Sequence, residues 1–200
     1  MKTKRMNVLL YGAMLVCCVH TLQGQTSRTQ FFVSAGNHSI AVPLQKISHF
    51  TFHPTLQAGL EFTHWYGNHG RFIQSIALGA VYNRYNNKSF FISTEGIYRY
   101  QTGLGIYGET SLGVGYMHTF HPSPVYALQD DGHYKKVTDT GKPTLMVSLG
   151  LGLGYQFQRK TSHPFSVYTR YQPFITLPYS KDLIGLPQLL WQVGTRFTIN

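Results

Sequence analysis

Apolar residues alternate with polar or small residues along most of the chain. The alternation is clearest over residues 189–199 and 145–157, and glycine occupies several positions of the second stretch's other face. A period of two indicates β-strands, because the pleat sends neighbouring side chains to opposite faces, whereas a helix repeats every 3.6 residues or so. Applied throughout, the pattern predicts eight strands, over residues 30–41, 51–64, 71–84, 89–101, 104–119, 143–158, 164–177 and 188–199.

The predicted strands are long enough to cross a bilayer. A membrane crossing takes about 9–11 tilted strand residues, whereas the mean strand of a soluble protein has about 5–6. Short links follow the second, fourth and sixth strands. Longer ones follow the first, fifth and seventh, and the longest is 120–142. Outer-membrane barrels combine short periplasmic turns with long external loops and have both ends in the periplasm. The pattern predicts an all-β fold, an eight-stranded antiparallel up-and-down transmembrane β-barrel, although the link after the third strand is short as well.

The first 24 residues have the build of a cleaved signal peptide. Lys2, Lys4 and Arg5 precede an apolar run from Val8 to Val19, and a polar stretch ends at Gly24. This order is typical of export signals and too short for a spanning helix, although an anchored amino-terminal helix is the alternative. We therefore predict a signal peptide over 1–24 and a barrel domain over 25–200. Both cysteines lie inside the signal, so no disulfide is expected.

Charge does not indicate nucleic acid as a partner. After the signal, fourteen Lys and Arg face seven Asp and Glu. The basic residues fall singly or in pairs, mostly at predicted turns, and they form no stripe the size of a nucleic-acid groove. Scattered solvated charge is the better interpretation.

The glutamates and three arginines fall on the strand face opposite the apolar one. A barrel with its apolar face towards lipid would enclose them, whereas a soluble lipocalin-like barrel would leave them in water. Eight strands leave an interior that side chains just fill, and Gly150, Gly152 and Gly154 would make room for long partners. We predict a lumen ionic cluster of zero net charge, made of Glu61, Glu95, Glu109, Arg99, Arg170 and Arg196.

Strand parity adds a detail at the hairpin between the fourth and fifth strands. Arg99 and Glu109 share a face if the loop has three residues, Thr102 to Leu104, and no bulge compensates. Arg99 would then lie diagonal to Glu109 across the strand pair.

Aromatic residues gather near both ends of the predicted strands, as in the two interfacial belts of membrane barrels. On this architecture, residues 26–200 resemble the small eight-stranded outer-membrane barrels exemplified by the OmpA membrane domain and OmpX. The resemblance implies insertion into the outer membrane of a Gram-negative cell envelope. It does not imply one function, because such barrels include anchors, adhesins, binding proteins and a few enzymes.

Histidines and aspartates of the longest external loop are candidate metal ligands. His118 and His121 are three residues apart, and Asp130, Asp131 and His133 follow. Imidazole and carboxylate groups bind Zn²⁺ and related ions, and imidazole also binds haem iron. The predicted metal site comprises His118, His121, Asp131 and His133. The alternative is a set of solvated loop histidines.

One short motif in the same loop resembles a catalytic one. Lipid A deacylases, which are also eight-stranded barrels, carry His-x-Ser with a Glu partner, and His121-Pro122-Ser123 has that spacing. Pro122 interrupts a regular strand and no Glu follows, so only Asp130 or Asp131 could orient the histidine.

The favoured interpretation is a non-enzymatic barrel with a closed lumen and no cofactor. Basic residues at the outer rim would meet the phosphates of lipopolysaccharide, or they would serve solubility alone. The external loops, chiefly 120–142, would bind outer-membrane lipid and lipopolysaccharide, or attach the barrel to a larger transporter or assembly complex. Capture of metal or haem and hydrolysis of outer-leaflet lipid are the alternatives.

Overall fold

The computed structural model describes residues 29–40, 52–84, 87–128, 132–157, 165–178 and 184–199. The predicted signal peptide, 1–24, lies outside these ranges. This part of the chain contains no helix of the length and apolarity that a membrane crossing requires. Within the described ranges the strands are β1 (Thr29–Ser39), β2 (Pro54–Tyr66), β3 (Gly70–Asn83), β4 (Asn87–Gln101), β5 (Ile106–Phe120), β6 (Val125–Leu128), β7 (Tyr134–Val137), β8 (Lys142–Gln156), β9 (Phe165–Leu177) and β10 (Leu186–Ile199).

Eight of the described strands close into an antiparallel barrel. Each pairs with its neighbour in the order β1, β2, β3, β4, β5, β8, β9 and β10, and β10 pairs back onto β1. Closure satisfies the backbone hydrogen bonds that an open sheet edge would leave exposed to hydrocarbon. The predicted all-β, eight-stranded fold is therefore confirmed.

A small hairpin in the longest loop was not predicted. Strands β6 and β7 pair with each other in a separate two-stranded sheet between β5 and β8. Each has only four residues, which is too short to show a sustained alternation.

The predicted diagonal between Arg99 and Glu109 is wrong, although both do share the inner face. Arg99 stands directly opposite Glu109 in the register of β4 and β5. The turn closes one residue later than expected, since the Thr102 N–H donates to the Ile106 carbonyl over 2.9 Å. Gly105 adopts a φ of 94°, which favours glycine, and this conformation allows the three-residue turn 103–105.

The outside of the barrel is apolar. Leu78, Leu112 and Leu153 each expose more than 60% of their surface on the outer wall. Exposed aromatic side chains mark both ends of that wall, with Trp65 and Tyr100 near the short turns and Phe90 near the long loops. A closed barrel with such an exterior is stable in hydrocarbon, and its rings lie at the headgroup levels. We call the end with the short turns the periplasmic end.

The lumen has two layers of different chemistry. The charged residues lie in the periplasmic half and the middle. The external half holds a cluster of buried apolar side chains, which we call the apolar plug: Val81, Phe91, Met117, Met146, Phe174 and Leu190.

Candidate functional site: a filled lumen and a basic external rim

Glu109 is the centre of the charged network in the lumen. Its Oε1 accepts hydrogen bonds from Arg170 Nη2 at 2.7 Å and Arg196 Nη2 at 2.8 Å. Its Oε2 accepts one from Arg99 Nε at 3.2 Å. Glu109 therefore joins three guanidinium groups that come from three different strands, β4, β9 and β10.

The other two glutamates complete the pairing. Glu61 accepts hydrogen bonds from Arg99 Nη2 and Arg196 Nε, both at 2.7 Å. Glu95 accepts from Arg170 Nη1 at 3.1 Å and from the Gln172 amide at 2.6 Å. The structure thus brings all six members of the lumen ionic cluster into one buried network. Buried charges are costly to desolvate, and the cost is offset only where pairing and hydrogen bonding are as complete as this.

Two buried tyrosines contact the arginines of the network. Arg196 Nη1 donates to the Tyr107 hydroxyl at 2.7 Å, and its guanidinium carbon lies 3.6 Å from the centroid of the Tyr168 ring. Arg99 lies 5.0 Å from the Tyr107 centroid. These aromatic faces stabilise the cations and reduce their freedom to move.

Glycines of the inner wall leave space for the network. A Cβ on Gly152 would lie 2.7 Å from Glu109 Cγ, and one on Gly113 would lie 2.6 Å from Glu95 Cγ. A Cβ on Gly154 would meet the Tyr107 ring, and one on Gly150 would meet the Ser111 hydroxyl. The glycines noted in the sequence on this face are therefore required by close approach.

The three candidate metal ligands that the structure describes, His118, His121 and His133, do not form a group that could hold a metal ion. His118 Nδ1 accepts from the Tyr116 hydroxyl at 2.7 Å, and His118 Nε2 donates to the Thr140 carbonyl at 3.0 Å. His133 lies exposed beside the β6–β7 hairpin, and Asp131 lies outside the described residues. Among the residues that the structure describes, no three His, Cys, Asp or Glu side chains form a possible metal site.

Asp139, which the sequence analysis did not single out, is the acid beside His121. Its carboxylate lies 3.4 Å from His121 Nδ1 and accepts the backbone N–H groups of Gly141 at 2.9 Å and His121 at 2.6 Å. These backbone donors hold the pKa of Asp139 below its ordinary value. Asp130 and Asp131, the predicted partners, lie outside the described residues. The Asp-Thr-Gly turn, with Gly141 at a φ of 66°, was the available signal.

The external rim is basic and aromatic. Lys88 Nζ lies 5.6 Å from the centroid of the exposed Tyr82 ring. On the hairpin, Tyr126 stands opposite Lys136, and Tyr134 lies two residues from Lys136 on the same strand face. Exposed cations beside exposed rings suit phosphate groups carried on a larger polar body.

Neither the models of known protein families nor the sequences of curated proteins give a match to this chain. Solved structures do. Neisserial surface protein A is 11% identical, with 88% of this chain and 98% of that one covered, at a TM-score of 0.54. The amino-terminal barrel domain of Pseudomonas aeruginosa OprF is 15% identical, covering 88% of this chain and 100% of that one, at 0.47. The outer membrane enzyme PagL is 12% identical, covering 84% and 97%, at 0.48.

The chain has the fold of the small eight-stranded outer-membrane β-barrels. Together with the apolar exterior, this fold places the protein in the outer membrane of a Gram-negative cell envelope.

Proposed function

We propose that the protein is a non-enzymatic outer-membrane barrel whose external loops bind lipopolysaccharide or attach it to a larger envelope complex. The observation that supports this most is the filled lumen. The charged network blocks the middle of the barrel, and the apolar plug blocks its external half. A barrel filled in this way offers no path to solutes, so its function belongs to its surfaces.

The charge of the external end favours an anionic ligand. Among the described residues there, the exposed bases outnumber the acids, of which Asp139 is the one described. Guanidinium and ammonium groups are natural partners of the phosphates of the outer leaflet. The described bases at this end are Arg84, Lys88, Lys135, Lys136 and Lys142.

A binding measurement tests the proposal. The full chain in detergent is titrated with lipopolysaccharide, and the double variant Lys135→Gln/Lys136→Gln is compared with it. We expect a roughly tenfold or greater loss of affinity, because each basic side chain near an anionic surface contributes about 1 kcal/mol. The loss should shrink at high salt.

The control is Arg71→Gln, which removes a positive charge at the periplasmic end and should leave lipopolysaccharide binding unchanged. Equal affinities for the wild type and the double variant would contradict a role of the hairpin. A stable complex with a large transporter in gently solubilised outer membrane would support the accessory role instead.

The pair of His121 and Asp139 favours a second candidate, an outer-leaflet lipid acyl hydrolase with Ser123 as nucleophile. The Asp139 carboxylate lies 3.4 Å from His121 Nδ1, on the side of the imidazole where a hydrolase holds its orienting acid. Mass spectrometry of lipid A incubated with the full chain should then show loss of an acyl group. Ser123→Ala should abolish that loss, whereas Thr138→Ala in the same loop should preserve it. Intact lipid A would reject this candidate.

A further inference from the structure

One charged residue of the described barrel strands lies on the lipid-facing side, Lys88 of β4. Strand alternation turns its neighbours Asn87 and Ser89 into the lumen, where both are buried, and leaves Lys88 on the outer face with Phe90. By the same alternation, every other Lys, Arg, Asp or Glu of those strands belongs to the inner face: Glu61, Arg71, Glu95, Arg99, Glu109, Lys142, Arg170 and Arg196. Charges are unfavourable on the lipid side of a barrel, so an isolated one is a candidate functional site.

Aromatic residues surround Lys88 on the outer wall. In the register of the sheet it stands between Tyr82 of β3 and Phe120 of β5, and its Nζ lies 5.6 Å from the centroid of the Tyr82 ring. Phe90, which exposes 63% of its surface, lies two residues further into the membrane on the same strand. Rings on three sides shield the ammonium group from part of its water, so an anion that reaches it is attracted more strongly than in open water. We call these four residues the Lys88 patch.

The charge of Lys88 is not neutralised by the part of the chain that the structure describes. The ion pairs formed there are those of the lumen network and the pair of His121 and Asp139. Asp139, the described acid of the external end, also accepts the backbone N–H groups of His121 and Gly141. Its oxygens are thus engaged within their own loop.

Lys88 lies at the level of the headgroups of the outer leaflet. Phe90 and Tyr116 are exposed rings of the external aromatic belt, which marks the boundary between hydrocarbon and headgroups. Lys88 is two strand residues beyond Phe90, or about 5 Å further out given the strand rise and a tilt of about 40°. The short turn between β3 and β4 carries the exposed Arg84 at the same end. The anionic groups that the outer leaflet offers at this level are the phosphates of lipid A.

From this arrangement we infer that the Lys88 patch binds one phosphate group of lipid A on the side of the barrel. The ammonium group pairs with the phosphate, and acyl chains of the same lipid lie against the exposed Leu78 and Ile92 further into the membrane. The inference rests on the proposed binding of lipopolysaccharide and names the place where its lipid part is held. Because Lys88 is the one outward charge of the described strands, the bound lipid lies on one side of the barrel.

The test uses lipid A without its polysaccharide, with and without its phosphates. The full chain in detergent is titrated with bisphosphorylated lipid A and with fully dephosphorylated lipid A, and bound lipid is counted by native mass spectrometry. We expect one bisphosphorylated lipid A per chain. Lys88→Gln should weaken its binding about fivefold, the contribution of one lysine near an anionic surface, whereas Lys88→Arg should preserve it. The wild type and Lys88→Gln should bind the dephosphorylated lipid equally.

The matched control is Lys142→Gln, which removes an exposed lysine at the same end of the barrel. Lys142 pairs with Thr119 and belongs to the inner face by alternation, as the buried Thr144 does. Its loss should leave the affinity for lipid A unchanged, because its side chain starts on the side away from the lipid. An equal loss in Lys88→Gln and Lys142→Gln would replace the lateral site by general attraction between a basic rim and an anionic lipid, and would overturn the assignment.

Further outcomes separate this site from the proposed function. If the wild type and Lys88→Gln bind lipid A with equal affinity while Lys135→Gln/Lys136→Gln still weakens binding of whole lipopolysaccharide, the Lys88 assignment falls and the proposed function stands. If the wild type binds neither lipopolysaccharide nor lipid A, both fall. Displacement of lipid A by equimolar phosphatidylglycerol would overturn the choice of lipid A in favour of any anionic lipid.

Discussion

The two halves of the lumen are filled by opposite means. In the periplasmic half, Arg and Glu side chains meet through hydrogen bonds with fixed directions, around Glu109. In the external half, side chains such as Phe91 and Met117 form the apolar plug, beside a few buried polar side chains such as His38 and Gln188. A charged network depends on every member, because each lost partner leaves a buried charge unpaired. An apolar cluster depends mainly on volume and tolerates exchange of similar shapes. The comparison predicts very different responses to substitution.

The largest loss of stability is expected for Glu109→Gln. The change leaves three buried guanidinium groups with two carboxylates and should lower the free energy of unfolding by about 3–5 kcal/mol. Urea unfolding in lipid vesicles measures it, with Thr110→Val on the outer face as control. A loss under about 1 kcal/mol would mean that the network contributes little to stability.

A smaller loss of stability is expected at Gly152, where the backbone of the barrel wall lies close to the charged network. Gly152→Ala places a Cβ 2.7 Å from Glu109 Cγ, so the carboxylate must shift, at a cost of about 1–3 kcal/mol. Gly108→Ala on the outer face is the matched control, since its nearest neighbour would be 3.8 Å away. If both alanines cost the same in urea unfolding, close approach is not what requires glycine at 152.

A substitution in the apolar plug that conserves volume is expected to lower the free energy of unfolding less. Met146→Leu keeps the apolar character and nearly the same volume, and it should cost under about 1.5 kcal/mol in the same assay. Met146→Gln, of similar length, is the comparison, and it should cost more because it puts a polar amide into the apolar plug, where burial of a polar group is costly. If Met146→Leu lowered the free energy of unfolding as much as Met146→Gln, the apolar plug would be as sensitive to substitution as the charged half.

The smallest expected effect concerns conduction. Phe91→Ala opens a gap in the plug, but the charged network below it still fills the barrel. Planar bilayers should therefore record no ion current from the wild type or from Phe91→Ala. A steady current from Phe91→Ala alone would show that the plug is the only barrier.

Strand parity explains why much of the fold could be predicted. A period of two assigns each residue to one face, so the glutamates and three arginines were placed on the inner wall from sequence alone. The pairing within the lumen could not be predicted in the same way. Glu61 meets Arg196 across 135 positions of sequence, and contacts of that kind depend on closure of the barrel.

The apolar plug was missed because its residues are isolated in the sequence. Val81 and Phe91 each stand among polar or small inner-face neighbours and so resemble ordinary interruptions of the pattern. Only closure of the barrel brings the plug residues together at the same height in the lumen. Asp139 was missed for a similar reason, since its partner His121 lies across a loop whose path the alternation does not determine.

The strands that carry the charged network come from both ends of the described chain, from β2 near its start to β10 at its end. One of its six ion pairs, Arg196 with Glu61, spans the seam between β1 and β10 and cannot form while the sheet is still open there. During assembly, these two side chains must stay hydrated until the last pair of strands meets. Insertion of this barrel should accordingly proceed with a wet inner surface, and its completion should be abrupt because sealing the seam and pairing the final charges are one event.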